Sequence, residues 1–446
     1  MTKNLTVGNP ARLILSFAIP LIIGNMFQQF YSMADSFIVG RTLGMNALAA
    51  LGCTGSINFL VLGFVMGVTQ GASIITSQRF GAEDKRGIRR SFATGMLLGI
   101  AVTVILMALS ITGIKPLLRL LRTPADIIED AHSYIVVIFW GMPVMLLFNL
   151  CSNVMRAVGD SRTPLVFLVI ACVINIILDY VFILAFGLGV RGAAYATVIA
   201  QALAGAACIP VIVRKLPILR ITRDDWRHID TYEFFVHAKM AIPVGFQWSI
   251  IAIGAVAVTF ALNGLGATAV AAYTAGQKID QFAGMPLNSF GAAMTTYTAQ
   301  NYGARRIDRI RTGVFQGLLM AAAFSIVMGA VFIFFGRHMV ALFLGDAQEA
   351  INMGATYLKV LGFFFVFLAG LYATRQPLQG LGNSLIPTLA GIMELFMRTF
   401  AAIILTDLFG FTGLCFASPL AFIGALVVCA AALGVTLKKL NRAFSL

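Results

Sequence analysis

Four acidic residues, Asp35, Asp179, Asp280 and Glu394, fall inside long apolar stretches of the chain. An ionised side chain held in hydrocarbon costs about 3 kcal/mol, so each of these groups needs a partner or a task. Asp35 shares a stripe with Gln28, Tyr31 and Ser32, at the i, i+3, i+4, i+7 spacing of one helix face. Asn175 and Asp179 are one helical turn apart and share a face as well. Two carboxylates and an amide allow two kinds of chemistry. They can make a cage of oxygen ligands for a small hard cation such as Na⁺. They can also make a site where burial and a like charge leave one carboxylate holding an exchangeable proton. Asp35, Asn175 and Asp179 are therefore the expected coupling site, and the expected metal ligands if the ion is Na⁺. The plainer alternative is that both acids only tie helices together.

The second half of the chain carries its own polar stripe, Gln277, Asp280, Gln281 and Asn288, with Lys278 on a different face. Glu394 and Arg398 stand at i and i+4 in the order that favours an intrahelical ion pair, and mutual neutralisation is the first reading of that pair. No catalytic constellation accompanies these groups. His132, His228, His237 and His338 are scattered without metal-ligand spacing, and the chain has no P-loop, so nothing points to an enzyme or to ATP hydrolysis. Cys53, Cys151, Cys172, Cys208, Cys415 and Cys429 fall in apolar segments and read as small core residues, not as a disulfide framework or a metal site.

The elements that must position these groups follow from the composition. Of 446 residues, 59% are hydrophobic and 11% charged, where a soluble domain carries about 25% charged residues. Only a bilayer is a suitable solvent for such a chain. The net charge of +14 is dispersed through short loops and not along one helix face, which argues for topology signals and lipid headgroup contacts against nucleic acid. Apolar runs long enough to cross about 30 Å of hydrocarbon lie near 13–39, 47–75, 92–113, 132–153, 164–186, 193–213, 240–262, 269–298, 314–336, 352–374, 384–406 and 412–436. Basic residues crowd the loops of one side, among them Arg79, Lys85, Arg86, Arg214, Arg305 and Arg375. They are sparse on the other, which holds Lys115, Arg119 and Arg122. The bias predicts both termini on the cytoplasmic side. No cleavable signal peptide is expected, because the first apolar run is too long and lacks a small-residue cleavage site. Gly63, Gly67 and Gly71 repeat at the spacing that lets two membrane helices pack closely.

The chain also repeats itself. Ala18-Ile19-Pro20 matches Ala241-Ile242-Pro243, and Gln78-Arg79-Phe80-Gly81-Ala82 matches Gln300-Asn301-Tyr302-Gly303-Ala304. Gly159-Asp160-Ser161 matches Gly382-Asn383-Ser384 at nearly the same spacing. Two copies with an even number of spans keep one orientation, which predicts parallel repeats about a pseudo-twofold along the membrane normal. The expected fold is an all-α integral membrane protein of twelve transmembrane helices in two six-helix lobes. The expected domains are residues 1–222, a cytoplasmic linker 223–239, and residues 240–446.

These motifs, in this order, resemble the MATE (multidrug and toxic compound extrusion) family, in its bacterial DinF/MepA-like branch. The carrying residues are Met33-Ala34-Asp35 followed by Val39-Gly40-Arg41, Gln78 to Ala82, Arg156 to Ser161 with Pro164, and Asn175 with Asp179. The resemblance implies a secondary active antiporter of the bacterial cytoplasmic membrane that exports amphipathic organic cations in exchange for H⁺ or Na⁺. It implies no further cofactor, lipid as surroundings and a monomer. Asp35, Asn175 and Asp179 match the family's N-lobe cation and proton site. The substrate cavity is expected to draw on Gln28, Tyr31, Gln247, Gln277, Asp280, Gln281, Asn288, Glu394 and Arg398. NorM-like members carry an acid in the seventh span where this chain has Gln247. A lipid-linked glycan flippase of the same superfamily is the alternative within transport, and a membrane-embedded enzyme or channel the alternative outside it.

Overall fold

The structure, a computed structural model, describes residues 3–120 and 123–444. Arg122, counted above among the outer loop charges, lies outside the described residues. In hydrocarbon every backbone N–H and C=O must be bonded within the protein, so continuous helices are the economical solution for so apolar a chain. The described residues accordingly form helices and no strand. The first half contains α1 (Pro10–Leu43), α2 (Met45–Gly81), α3 (Lys85–Leu120), α4 (Ile128–Trp140), α5 (Met142–Ala157), α6 (Arg162–Tyr180) and α7 (Val190–Lys215). A short α8 (Arg223–Arg227) lies between the halves. The second half contains α9 (Thr231–Asn263), α10 (Ala267–Gly303), α11 (Ile307–Leu344), α12 (Gln348–Gly380), α13 (Leu385–Phe400), α14 (Thr406–Cys415) and α15 (Ala417–Phe444).

Among the described residues, 10 helical segments are long and apolar enough to cross a membrane, and α4 with α5, bent by 49° at Gly141, makes one more. Helix α10 is 37 residues long but carries the Gln277–Asn288 polar stripe, so hydropathy undercounts it. With α10 the set is consistent with the expected twelve.

Some sequence expectations are corrected. The eleventh span runs on past 406 to Cys415, and the twelfth begins at Ala417 instead of 412; Gly410, at φ 59°, is where the chain departs from helical geometry. Arg375 is not in a loop but inside α12, 4% exposed. Cys53 is exposed, while the other five cysteines are buried as expected.

The repeat reappears in the backbone. Gly44 and Gly266 have φ of 88° and 90°, and Gly159 and Gly382 have 89° and 86°. Even the two non-glycine residues with positive φ among the described residues, Glu83 at 58° and Arg305 at 55°, occupy matching positions. Such conformations are uncommon for residues with a Cβ, so their recurrence marks one folding plan used twice.

The chain divides into two compact units. Unit 1 holds Ile23–Ser249 and the short N-terminal stretch ending at Asn4, and unit 2 holds Leu5–Ile22 and Ile250–Leu446. Helices α1 and α9 therefore each contribute to both. Within unit 1 the start of α9 sits on α2. A Cβ on Gly67 would lie 2.6 Å from the Val244 carbonyl oxygen, and one on Gly71 would lie 2.6 Å from the Ala241 Cα. The glycine stripe is therefore a close backbone seam. Within unit 2 the core joins Ile14, Phe17 and Ala18 of α1 to Tyr273, Tyr297, Phe332 and Phe365.

Candidate functional site

The unit 1 site is built on α6. Asp160 starts this helix, its carboxylate accepting from the Arg162 and Thr163 amides at 3.1 and 3.0 Å. Four turns on, Asn175 and Asp179 are 1% and 0% exposed. The helix then widens, running as a π-helix over Val181–Ala185. Single π turns within α-helices occur often at functional sites.

Asn175 ties the site together. Its amide donates to Asp179 Oδ2 at 3.2 Å and its carbonyl accepts from the Thr197 amide of α7 at 3.1 Å. Tyr31 on α1 donates to Thr197 Oγ1 at 3.3 Å. Asp35, 8% exposed on the same helix, lies within electrostatic reach of Asp179, Tyr31 and Tyr134. Oδ1 of Asp35 and Oδ1 of Asp179 are both buried without a hydrogen-bond partner. Two orphaned carboxylate oxygens in one buried site are costly as ions and call for a proton or a cation. The surrounding donor set, carboxylate, amide and hydroxyl oxygen, suits a small hard cation as well as a proton. Among the described residues no three His, Cys, Asp or Glu side chains form a metal cluster. The three coupling candidates thus converge, joined by Tyr31. Thr197 and Tyr134 were not singled out by sequence, since a lone hydroxyl on another helix leaves no periodic signal. Gln28 lies half-buried on the Asp35 stripe and Gln247 is buried in the unit 1 part of α9.

Unit 2 places its charges on the corresponding stretch. Helix α13 carries Glu394 and Arg398 and is followed by a second π-helix, Ala401–Leu405. The expected pair forms, Arg398 Nη2 donating to Glu394 Oε1 at 2.9 Å. It has a third member: Arg375 Nη2 of α12 donates to Glu394 Oε2 at 2.7 Å. One carboxylate so serves two guanidiniums, and Nε of each arginine is buried without a partner. Asp280 on α10 lies near Tyr357 and within electrostatic reach of Arg398. Tyr357 and Tyr273 pack with ring centroids 4.8 Å apart. A narrow cleft beside the triad is lined by Ile250, Gly254, Gly391, Glu394 and Arg398. Gln277 and Asn288 are half-buried on α10, and Gln281 and Lys278 are exposed.

A duplicated, all-helical membrane protein with a buried oxygen-lined acidic pair in one repeat and a balanced ionic cluster in the other defines the class of polytopic membrane transporters. The chain belongs to the MatE family, which it matches over residues 20–181 and 243–404. It is 30% identical to the probable multidrug resistance protein YpnP of Bacillus subtilis (strain 168), over 82% of this chain and 81% of that one. It is 25% identical to the multidrug export protein MepA of Staphylococcus saprophyticus, over 90% and 88%. A crystal structure of a MATE protein in complex with MaL6 superposes with a TM-score of 0.92 at 23% identity, covering 99% of this chain and all of that one, which establishes the two-lobe fold. The protein is a multi-pass membrane transporter of the multidrug efflux class, with small molecules as its substrates, in a family whose transport is ion-coupled.

Proposed function

We propose that this transporter is a secondary active antiporter that exports amphipathic organic cations in exchange for inward H⁺ or Na⁺ across the bacterial cytoplasmic membrane, with both termini cytoplasmic and the monomer as the working unit. Asp35 and Asp179 are the coupling carboxylates and Asn175 holds Asp179 in place. The observation that carries this reading is the pair of unsatisfied carboxylate oxygens in a buried all-oxygen site, which a mobile cation would satisfy on one leg of the cycle and surrender on the other. Substrate release and ion entry then compete for the same negative charge. The polar side chains of α10, with Glu394, Arg398, Gln247, Gln28 and Tyr31, receive substrate. The two repeats, residues 1–222 and 240–446 about the linker 223–239, supply the parts that move.

The test is ethidium efflux from vesicles under separately imposed sodium and proton gradients. Efflux driven by one gradient, and lost in the Asp35→Asn/Asp179→Asn double variant, is expected. No response to either gradient by correctly inserted wild-type protein overturns the reading. A glycan flippase handling anionic headgroups would want a cluster with excess positive charge, whereas in unit 2 Arg375 and Arg398 are offset by Glu394 and Asp280.

A further inference from the structure

Each repeat's first helix begins inside the unit built mostly from the other repeat, and there the second and third helices of that repeat grip it. In unit 1 Arg79, at the end of α2, donates through Nη2 to both Glu233 carboxylate oxygens at 2.7 and 2.6 Å. Arg89 of α3 pairs with Asp225 of α8 at 3.0 Å. Burial pushes the Asp225 carboxyl up, but hydrogen bonds from Thr222 and Arg89 outweigh it and leave it below its ordinary range, so the pair stays charged. Beneath them His237, 0% exposed, bonds through Nε2 to Ser91 Oγ at 2.8 Å. In unit 2 the matching end of α10 does the same to the approach to α1: Gln300 accepts from the Leu5 amide at 3.0 Å and Asn301 donates to the Leu5 carbonyl at 3.2 Å.

The two grips differ in what holds them. At the sequence position where unit 1 has Arg79, unit 2 has the fully buried Asn301, and the guanidinium there, Arg309 of α11, bonds Asn301 Oδ1 at 3.0 Å and the Leu5 carbonyl at 3.4 Å, so unit 2 grips backbone where unit 1 grips a carboxylate. The Arg79 and Glu233 side chains are 20% and 17% exposed, above a dry seam in which Ala241 packs with Val68, Ala72 and Leu98, so the ion pair is the part of the grip that water reaches. Ion pairs that water can reach exchange readily, each contributing on the order of 1 kcal/mol or less. A helix whose halves belong to different units cannot keep both seats while those units move. Resting on the antiporter reading above, we propose that the Arg79–Glu233 grip on α9 is a catch that opens once per transport cycle, with the Leu5 grip as its more durable counterpart.

The test uses the full chain with its native cysteines replaced, carrying Arg79→Cys and Glu233→Cys, joined by a short bis-maleimide. Ethidium should still bind the linked protein, while its efflux under the driving gradient stops; full-rate efflux by linked protein overturns the catch. Loss of efflux, under either gradient, by the cysteine-replaced chain that keeps Arg79 and Glu233 would fault the antiporter reading instead. A second measurement decides the catch without transport. Ala241, fully buried in the seam, is replaced by cysteine and labelled with maleimide. Labelling about two- to fivefold faster with Glu233→Gln, the weight of one partly exposed pair, is expected, and equal rates overturn the proposal.

Discussion

Asp179 and Asp35 share a site but not a helix, and that is why their roles can be separated by substitution. Asp179→Asn keeps an oxygen to accept from the Asn175 amide but puts an uncharged NH₂ where the orphaned Oδ1 stood, so the site loses the charge that a proton or cation would neutralise. Transport should be abolished with protein still present in the membrane, read by vesicle efflux alongside immunodetection. Tyr31→Phe removes only the bond to Thr197 and should slow transport by several-fold, about 1 kcal/mol of positioning. Arg375 belongs at this scale too. Removing one partner of a buried pair leaves an uncompensated charge, so Arg375→Met should destabilise the protein by about 3 kcal/mol, seen as a lower melting midpoint in detergent, with Arg375→Lys milder. The sequence made Asp35, Asn175 and Asp179 visible because one-turn spacing and a charge in an apolar run are both local signals. It hid Arg375, which looks like a loop charge near the end of an apolar run until Glu394 is brought against it from α13.

Helices here do more than span. The seam of α9 on α2 needs glycine at 67 and 71, where a Cβ would meet backbone that has nowhere to go. Gly71→Leu should therefore unseat α9, with loss of folded protein or at least about 3 kcal/mol of stability, measured by thermal unfolding of purified protein; unchanged stability would show that the seam yields. The stripe was legible as a close-packing signal, but its partner was not, because sequence spacing names a face and not what lies on it. The bend at Gly141 and the restart at Ala417 were missed for a related reason. A hydropathy run continues across a kink that costs no polarity, so composition alone cannot see the break. The opposite failure affected a hydropathy count of α10, whose side chains for the site make it look too polar to be a span.

The molecule as a whole repeats its scaffold and not its charge. The positive-φ positions and the π-helical stretches after α6 and α13 recur in both repeats, yet Asn175 in unit 1 has Arg398 as its counterpart in unit 2. A site with orphaned carboxylate oxygens can take up and release a cation; a carboxylate already shared by two guanidiniums has its cation built in and little need of another. Coupling should accordingly belong to unit 1, while the charge of unit 2 should serve recognition without coupling. Asp280→Ala is the discriminating variant, since Asp280 lies near Tyr357 and within electrostatic reach of Arg398 without being part of the triad. Efflux by this variant should still be driven by the same ion gradient as the wild type, with the number of ions moved per substrate unchanged, while the apparent affinity for organic cations shifts by about tenfold, the weight of one charged contact. Competition among cations of different shape in everted vesicles reads the affinity, and reversal-potential measurements in proteoliposomes read the stoichiometry. If Asp280→Ala instead alters the stoichiometry, the second repeat has kept a coupling group of its own, and the division of labour between the repeats fails.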